Sequence, residues 1–378
     1  MINKKVKKSV LISYGILLML HCIAQQPCSV NDLMTIKGSW KKENDANMKQ
    51  DKNQSQINYR IDAVSKLYQT AYPEPKGIQA EWYRSMEGNP LVKNGPVTYQ
   101  LNSLYLAWYC NSYLHKPELG SETSTWSFVW MNSFGWLIAD QYDKALVKVQ
   151  GLQAWWLAKK IGEWKGLPLY EPTGSPKKGK AVLITRNNQL PYKPVTRLQF
   201  LQAMKEKIEA DKKTQLDFEN KRTVRSDAEE EAAKQQGLEN AAKYAPPNRV
   251  EQRKADYLKH YKTDQQRKEE NIQQTETYYN SMLDPLVAEL NKETGTELQQ
   301  PAIVDNSSSI FKGFTTDEKG GRMMVVVNND YFKTSLPRYA PQMIVLYWSW
   351  DKNGPCQDFK KQLEENFPVD QLKAMIDK

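Results

Sequence analysis

The sequence is poor in the residues that catalysis and metal binding most often use. Its 378 residues include four Cys and three His. It has no His-Glu-x-x-His, no Cys-x-x-Cys, no Gly-rich phosphate loop and no nucleophile elbow. These absences remove the motif-based cases for zinc hydrolases, dithiol oxidoreductases, P-loop enzymes and α/β-hydrolases. An apolar run long enough to span a bilayer is missing too. The longest, residues 10–20, is about half of the ~20 residues a spanning helix needs. A large excess of one charge is also lacking. The formal charge is +9, and discounting Lys4, Lys5, Lys7 and Lys8 leaves +5 on 354 residues. That is an ordinary solubility charge and predicts no nucleic-acid partner.

What is present begins with an export signal. Residues 1–24 combine a basic start, the short apolar run and Cys22-Ile23-Ala24 before Gln25. This reads as a secretory signal peptide cleaved after Ala24, giving a mature protein without a membrane span. His21, before Cys22, argues against lipoprotein processing. The expected location is exported: bacterial periplasm, cell envelope or extracellular space. The mature chain keeps Cys28, Cys110 and Cys356. Three cysteines allow at most one disulfide and one free thiol, with the pairing left open.

The mature chain divides into three regions, which together predict an α+β fold. Residues 25–171 are aromatic-rich and hold nine of the eleven Trp. Ile57, Ile61, Val64 and Tyr68 recur at helical spacing, and Pro73 and Pro75 end that helix. Tyr99, Leu101 and Tyr105, then Trp126, Phe128 and Trp130, alternate as in half-buried strands. A further helix is expected over residues 141–164.

Residues 172–200 and 300–378 are expected to form a small α+β domain. Residues 180–185 and 190–195, joined through Asn187-Asn188, read as a hairpin with its Pro-bearing strand at an edge. Residues 322–328 and 343–350 read as buried strands that pair with the hairpin. Helices are expected over 357–366 and 369–376. Thr196-x-x-Gln199 is a capping box that opens a long helix.

Residues 201–299 form the insertion, a helical hairpin about half charged, broken at Pro246-Pro247. Two helices of some 45 residues make a coiled-coil-like arm about 65 Å long. A partly disordered charged linker is the competing reading of the same polarity.

Candidate chemistry is thin. Residues 343–350 followed by Gly354-Pro355-Cys356 resemble the strand, turn and helix start of thioredoxins. The attacking cysteine of that pattern is absent, and only 22 residues follow Cys356. Cys356 therefore stands as a candidate free thiol and no more. His115 and His260 are far apart, so no metal site is expected, and no cofactor is implied. Glu81, Glu87, Asp140, Asp143 and Glu163 are the carboxylates outside the arm that could supply an acid/base pair. Trp126, Trp130, Trp155 and Trp156 are candidate glycan-stacking residues, although large aromatics more often serve as core.

Leu190-Pro191-Tyr192-Lys193-Pro194-Val195-Thr196-Arg197 and Ser335-Leu336-Pro337-Arg338-Tyr339-Ala340-Pro341-Gln342 resemble uncharacterised exported proteins of Bacteroidota-type bacteria. The resemblance covers about the last half of the chain outside the arm. It implies export from a bacterial cell and carries over no functional residue. The sequence thus points to a non-catalytic envelope interaction or scaffold protein, its arm reaching a protein partner or a second copy. The alternative is a protein that binds or cleaves carbohydrate through the Trp-rich region.

Overall fold

The computed structural model describes residues 28–48, 51–86, 91–138, 147–172, 179–305 and 310–378. The signal segment 1–24, Glu87, Asp140 and Asp143 lie outside the described residues. The protein is α+β, with an aromatic-rich N-terminal part and a long charged antiparallel helical arm. It divides into two compact units. One comprises Met1–Lys144, Ala158–Lys193 and Val327–Lys378; the other comprises Ala145–Leu157 and Pro194–Val326.

The first unit starts with α1 (Val30–Thr35), β1 (Trp40–Lys42), α2 (Gln54–Ala71), β2 (Ile78–Met86) and β3 (Tyr99–Asn111). β4 (Lys116–Leu119) folds back on the far end of β3, and β5 (Trp126–Met131) follows. β6 (Lys148–Val149) and β7 (Leu152–Trp156) belong to the second unit. β8 (Lys159–Trp164), β9 (Leu167–Glu171) and β10 (Gly179–Thr185) return to the first.

Past β11 (Tyr192–Pro194) come the arm helices α3 (Arg197–Lys221), α4 (Asp227–Lys243), α5 (Val250–His260) and α6 (Asp264–Lys292). The short α7 (Gly295–Leu298), β12 (Ile303–Val304) and β13 (Arg322–Val327) complete the second unit's elements. β14 (Met343–Ser349), α8 (Gly354–Asn366) and α9 (Val369–Lys373) close the chain.

The first unit's sheet runs β1-β2-β3-β5-β14-β10-β9-β8, antiparallel except for β1 beside β2. β14 is central: Val345 sits opposite Trp130 of β5 on one side and Leu183 of β10 on the other. The period of two gives one face Ala80, Leu101, Val129, Leu346 and Trp348. That face forms one core with Ile57, Ile61, Val64 and Tyr68 of α2 and Phe359 and Leu363 of α8. The steps of four, three and four residues along α2 put its apolar side chains on one stripe, as the sequence predicts. The expected boundary at residue 171 falls inside this sheet, because β14 and β10 from the C-terminal region pair with each other and with β5 and β9.

Two local expectations are corrected. Residues 147–164 are strands, not a helix. Gln150 and Gly151 have φ of 51° and 79°, and Lys165 and Gly166 have 49° and 72°. Such paired positive φ values suit two-residue hairpin turns, and these connect β6 to β7 and β8 to β9. Nor do β10 and β11 form a hairpin. β14 pairs along the whole of β10 on one side and β9 takes the other, while β11 joins the second sheet. Asn187 and Asn188 do take positive φ, 47° and 57°, but within a 3-10 turn. β11 is instead the edge of the second sheet, β11-β13-β7-β6, with β12 added to β13.

In the second unit α3 pairs antiparallel with α6, and α4 with α5. Arg197 meets Glu293 at 2.5 Å and Lys212 meets Asn280 at 2.9 Å, which fixes the register. Thr196 makes the predicted capping box with Gln199. Each helix is shorter than expected, since residues 222–226 interrupt the first and 261–263 the second.

Candidate functional site

The structure separates the four candidate tryptophans into two pairs. Trp126 and Trp130 are on β5 of the first unit; Trp155 and Trp156 are on β7 of the second. Trp130 is 3% exposed, and its indole lies against Gly135, where a Cβ would come within 2.4 Å of the ring. Trp156 is 5% exposed and packs on Phe200, ring centres 6.2 Å apart. Both are core, where a large aromatic gains most from leaving water. Trp126 and Trp155 are half-buried.

Around Trp126, on the sheet face away from α2 and α8, Phe128, Trp130, Trp136 and Tyr347 form one aromatic cluster. Phe128 stacks on Tyr347 at 5.9 Å, and Trp136 meets both edge-on at 5.2 and 4.6 Å. The register puts Gln100 beside Trp130 and Asn102 beside Phe128 on the same face. Trp126, Phe128 and Trp136 keep part of their surface in solvent. Phe128, Gln100 and Asn102 join the candidate through strand register, and Trp136 through the 3-10 turn Gly135–Leu137.

Cys356 is fully buried in the first turn of α8, its backbone N–H donating to Asn353 Oδ1 at 2.9 Å. Burial pushes the thiol pKa up, only partly opposed by hydrogen bonding with Thr125 and Asn353. A buried, protonated thiol is a poor nucleophile, so its helix-terminal position is one of packing. Cys28 and Cys110 form a disulfide with Cα atoms 5.5 Å apart. It ties the segment before α1 to β3.

The remaining candidates stay scattered. Glu81 lies on β2 and Glu163 on edge strand β8, six strands away along the sheet, with the Glu163 side chain 67% exposed. His115 sits in the turn after β3. His260 ends α5 with Nδ1 2.8 Å from the carbonyl of Asp256. Among the described residues no group of three His, Cys, Asp or Glu is placed to hold a metal ion. Likewise no helix is long and apolar enough to cross a membrane.

The arm is the other candidate. Its root is held by burial of Leu201, Ile208, Met282 and Leu286, all 8% exposed or less. Its distal half differs, since α4 and α5 contain no buried residue. Instead, Ser226 and Thr263 supply capping boxes with Glu229 and Gln266. Tyr257 lies across Gly237, where a Cβ would fall 1.9 Å from the hydroxyl oxygen. Along α5, Arg253, Asp256, Tyr257 and His260 line an open depression with Ala241 and Tyr244. Tyr244 is 79% exposed and Leu258 46%. Residues 240–262 carry six Lys or Arg against two acids, whereas 264–292 carry six acids against three bases. The arm therefore ends in a basic, tyrosine-bearing tip on a more acidic shaft.

No protein-family model, curated protein or solved structure matches the chain.

Proposed function

We propose that the protein is an exported, non-catalytic interaction or scaffold protein of a bacterial cell envelope, and that the distal arm is its contact element. One observation carries this reading: helices Asp227–Lys243 and Val250–His260 bury no residue in their own chain, yet both are charged and the first is fixed by the Ser226–Glu229 capping box. A surface so specified and so little used internally is suited to a partner, either another protein or a second copy. Export is supported by the signal-like segment 1–24 and by the Cys28–Cys110 disulfide, a bond that persists in oxidising compartments. The resemblance to Bacteroidota-type exported proteins supports the same host and adds no activity.

The test is replacement of residues 212–271 by a short Gly/Ser linker. Its ends lie beyond the buried root residues, and loop-closure entropy changes by only about 0.6 kcal/mol per twofold change in length. The thermal transition of the sheet should stay in place, and co-purification of an envelope partner should be lost. Capture that survives the replacement would sink the arm as contact element.

The partly exposed side chains of Trp126, Phe128 and Trp136 favour a second reading, glycan binding at the solvent-facing edge of this aromatic cluster. A glycan array showing selective binding that Trp126→Ala abolishes would make this the primary function. The buried Trp130 and Trp156 take no part in it.

A further inference from the structure

The two strands of the arm break at the same level. α3 stops at Lys221, Arg222 is extended (φ −62°, ψ 121°), and α4 restarts from the Ser226 cap. On the returning strand α5 stops at His260, Tyr261 is extended (φ −67°, ψ 132°), and α6 restarts from the Thr263 cap, so that Arg222 meets Asp264 and Tyr261 meets Glu230. A break in one helix of a pair is splinted by its neighbour. Here no continuous helix crosses the level, so bending breaks no intrahelical ladder and is absorbed by φ/ψ change in a few residues.

The groups that bridge this level are polar. Lys268 Nζ donates to the carbonyls of Asn220 and Arg222 at 2.8 and 3.1 Å. Arg222 donates to the carbonyl of Asp264 at 3.1 Å and lies 3.5 Å from Glu219. The Glu230 carboxylate accepts from the Tyr261 hydroxyl and, at 3.1 Å, from the Asp264 N–H. Side chains from one strand thus satisfy helix-end groups of the other that a straight, unbroken helix would satisfy itself. No apolar side chain is buried from 222 to 226 or from 261 to 263. On either side the arm is cohesive, through Ile208 and Met282 in the root and the Tyr257–Gly237 contact beyond.

We propose that residues 222–226 and 261–263 form an elbow, at which the distal hairpin swings as one body against the root and which the Arg222, Lys268 and Glu230 contacts hold straight. This goes beyond the proposed function and does not depend on what the tip binds.

Pulsed electron–electron distance measurements on the full chain test it. With Cys22 replaced by Ser, the remaining cysteines are the buried Cys356 and the bonded Cys28 and Cys110, so introduced cysteines can be labelled selectively. Gln215→Cys with Gln236→Cys spans the elbow. Gln202→Cys with Gln215→Cys reports on the root, and Ala228→Cys with Asn240→Cys on the distal half. Arg222→Ala with Lys268→Ala should at least double the width of the spanning distribution and leave the other two unchanged. Should that variant fold poorly, Glu230→Gln or 0.5 M salt on the unaltered arm should broaden the same pair, because exposed ion pairs are screened. A spanning distribution that none of these changes broadens makes the arm a rigid rod. Equal broadening within the distal pair means local melting. Either result overturns the elbow.

Discussion

Trp348 and Leu258 mark the two ways this chain holds its backbone in place. Trp348 is fully buried in the central strand of the large sheet, 5.1 Å from the ring centre of Trp164, with its indole N–H donating to Glu364. Leu258 stands on a helix of the distal arm with nearly half its surface in water. The sheet relies on apolar burial, in which each side chain touches many others, so its contributions are large and shared. The distal arm relies on capping boxes and on near-neighbour pairs such as Lys254–Glu251 at 3.0 Å, which contribute a few tenths of a kcal/mol each and act locally. A change in the first region should be felt throughout it, and a change in the second only within a turn or two.

The largest test of that contrast is Trp348→Ala set beside Leu258→Ala. The first should lower unfolding stability by about 3–5 kcal/mol through the cavity it leaves. The second should stay within about 0.5 kcal/mol. Denaturant titrations followed by Trp fluorescence measure both, and comparable losses would erase the distinction.

Next in size is the disulfide. Cys28→Ala with Cys110→Ala opens a loop of 82 residues, at a cost of about 2–4 kcal/mol to the unfolding transition of the large sheet. Amide exchange in α4 and α5 should not change, and faster exchange there would show that the two regions are coupled.

The smallest effect expected is with acid. Hydrogen bonds from Tyr261 and from the Asp264 N–H hold the Glu230 carboxyl below its ordinary value, with Arg225 and Arg267 helping. The same bond pushes the Tyr261 hydroxyl up to about 12. A depressed carboxyl pKa contributes stability that is present above the unfolded value of 4.5 and is lost as pH falls through the folded one. Exchange protection near 261–264 should therefore fade below pH 4.5 while that of β14 persists. Glu230→Gln should remove the pH dependence, and an unaltered profile in that variant would assign the effect to another carboxylate.

Much of the architecture is legible in local pattern, for identifiable reasons. α2 follows from Ile57, Ile61, Val64 and Tyr68, and the start of α3 from Thr196 and Gln199, because spacing and capping act within a turn of helix. The arm's interruptions are written in the same code: Ser226-x-x-Glu229 and Thr263-x-x-Gln266 repeat the signature at Thr196. The strands over 147–164 are written too, in the Gln150-Gly151 and Lys165-Gly166 turns, but the helical spacing of Leu146, Val149, Trp156 and Ile161 competes with them. In the candidate site, alternation along β5 groups Trp126, Phe128 and Trp130 on one face. Nothing local says which of them is covered.

The sequence by itself thus determined the helical stripe of α2, the charged hairpin with its Pro246-Pro247 turn, and the α+β class. Each depends on neighbours a few residues apart. Only the tertiary structure decided that β14 enters the sheet between β5 and β10, joining residues more than 150 positions apart. It also decided that Cys28 pairs with Cys110 while Cys356 is sealed in the core, and that Trp130 and Trp156 are buried where Trp126 is not. Pairing between distant strands is chosen by the summed burial of whole faces, and no single segment carries that sum.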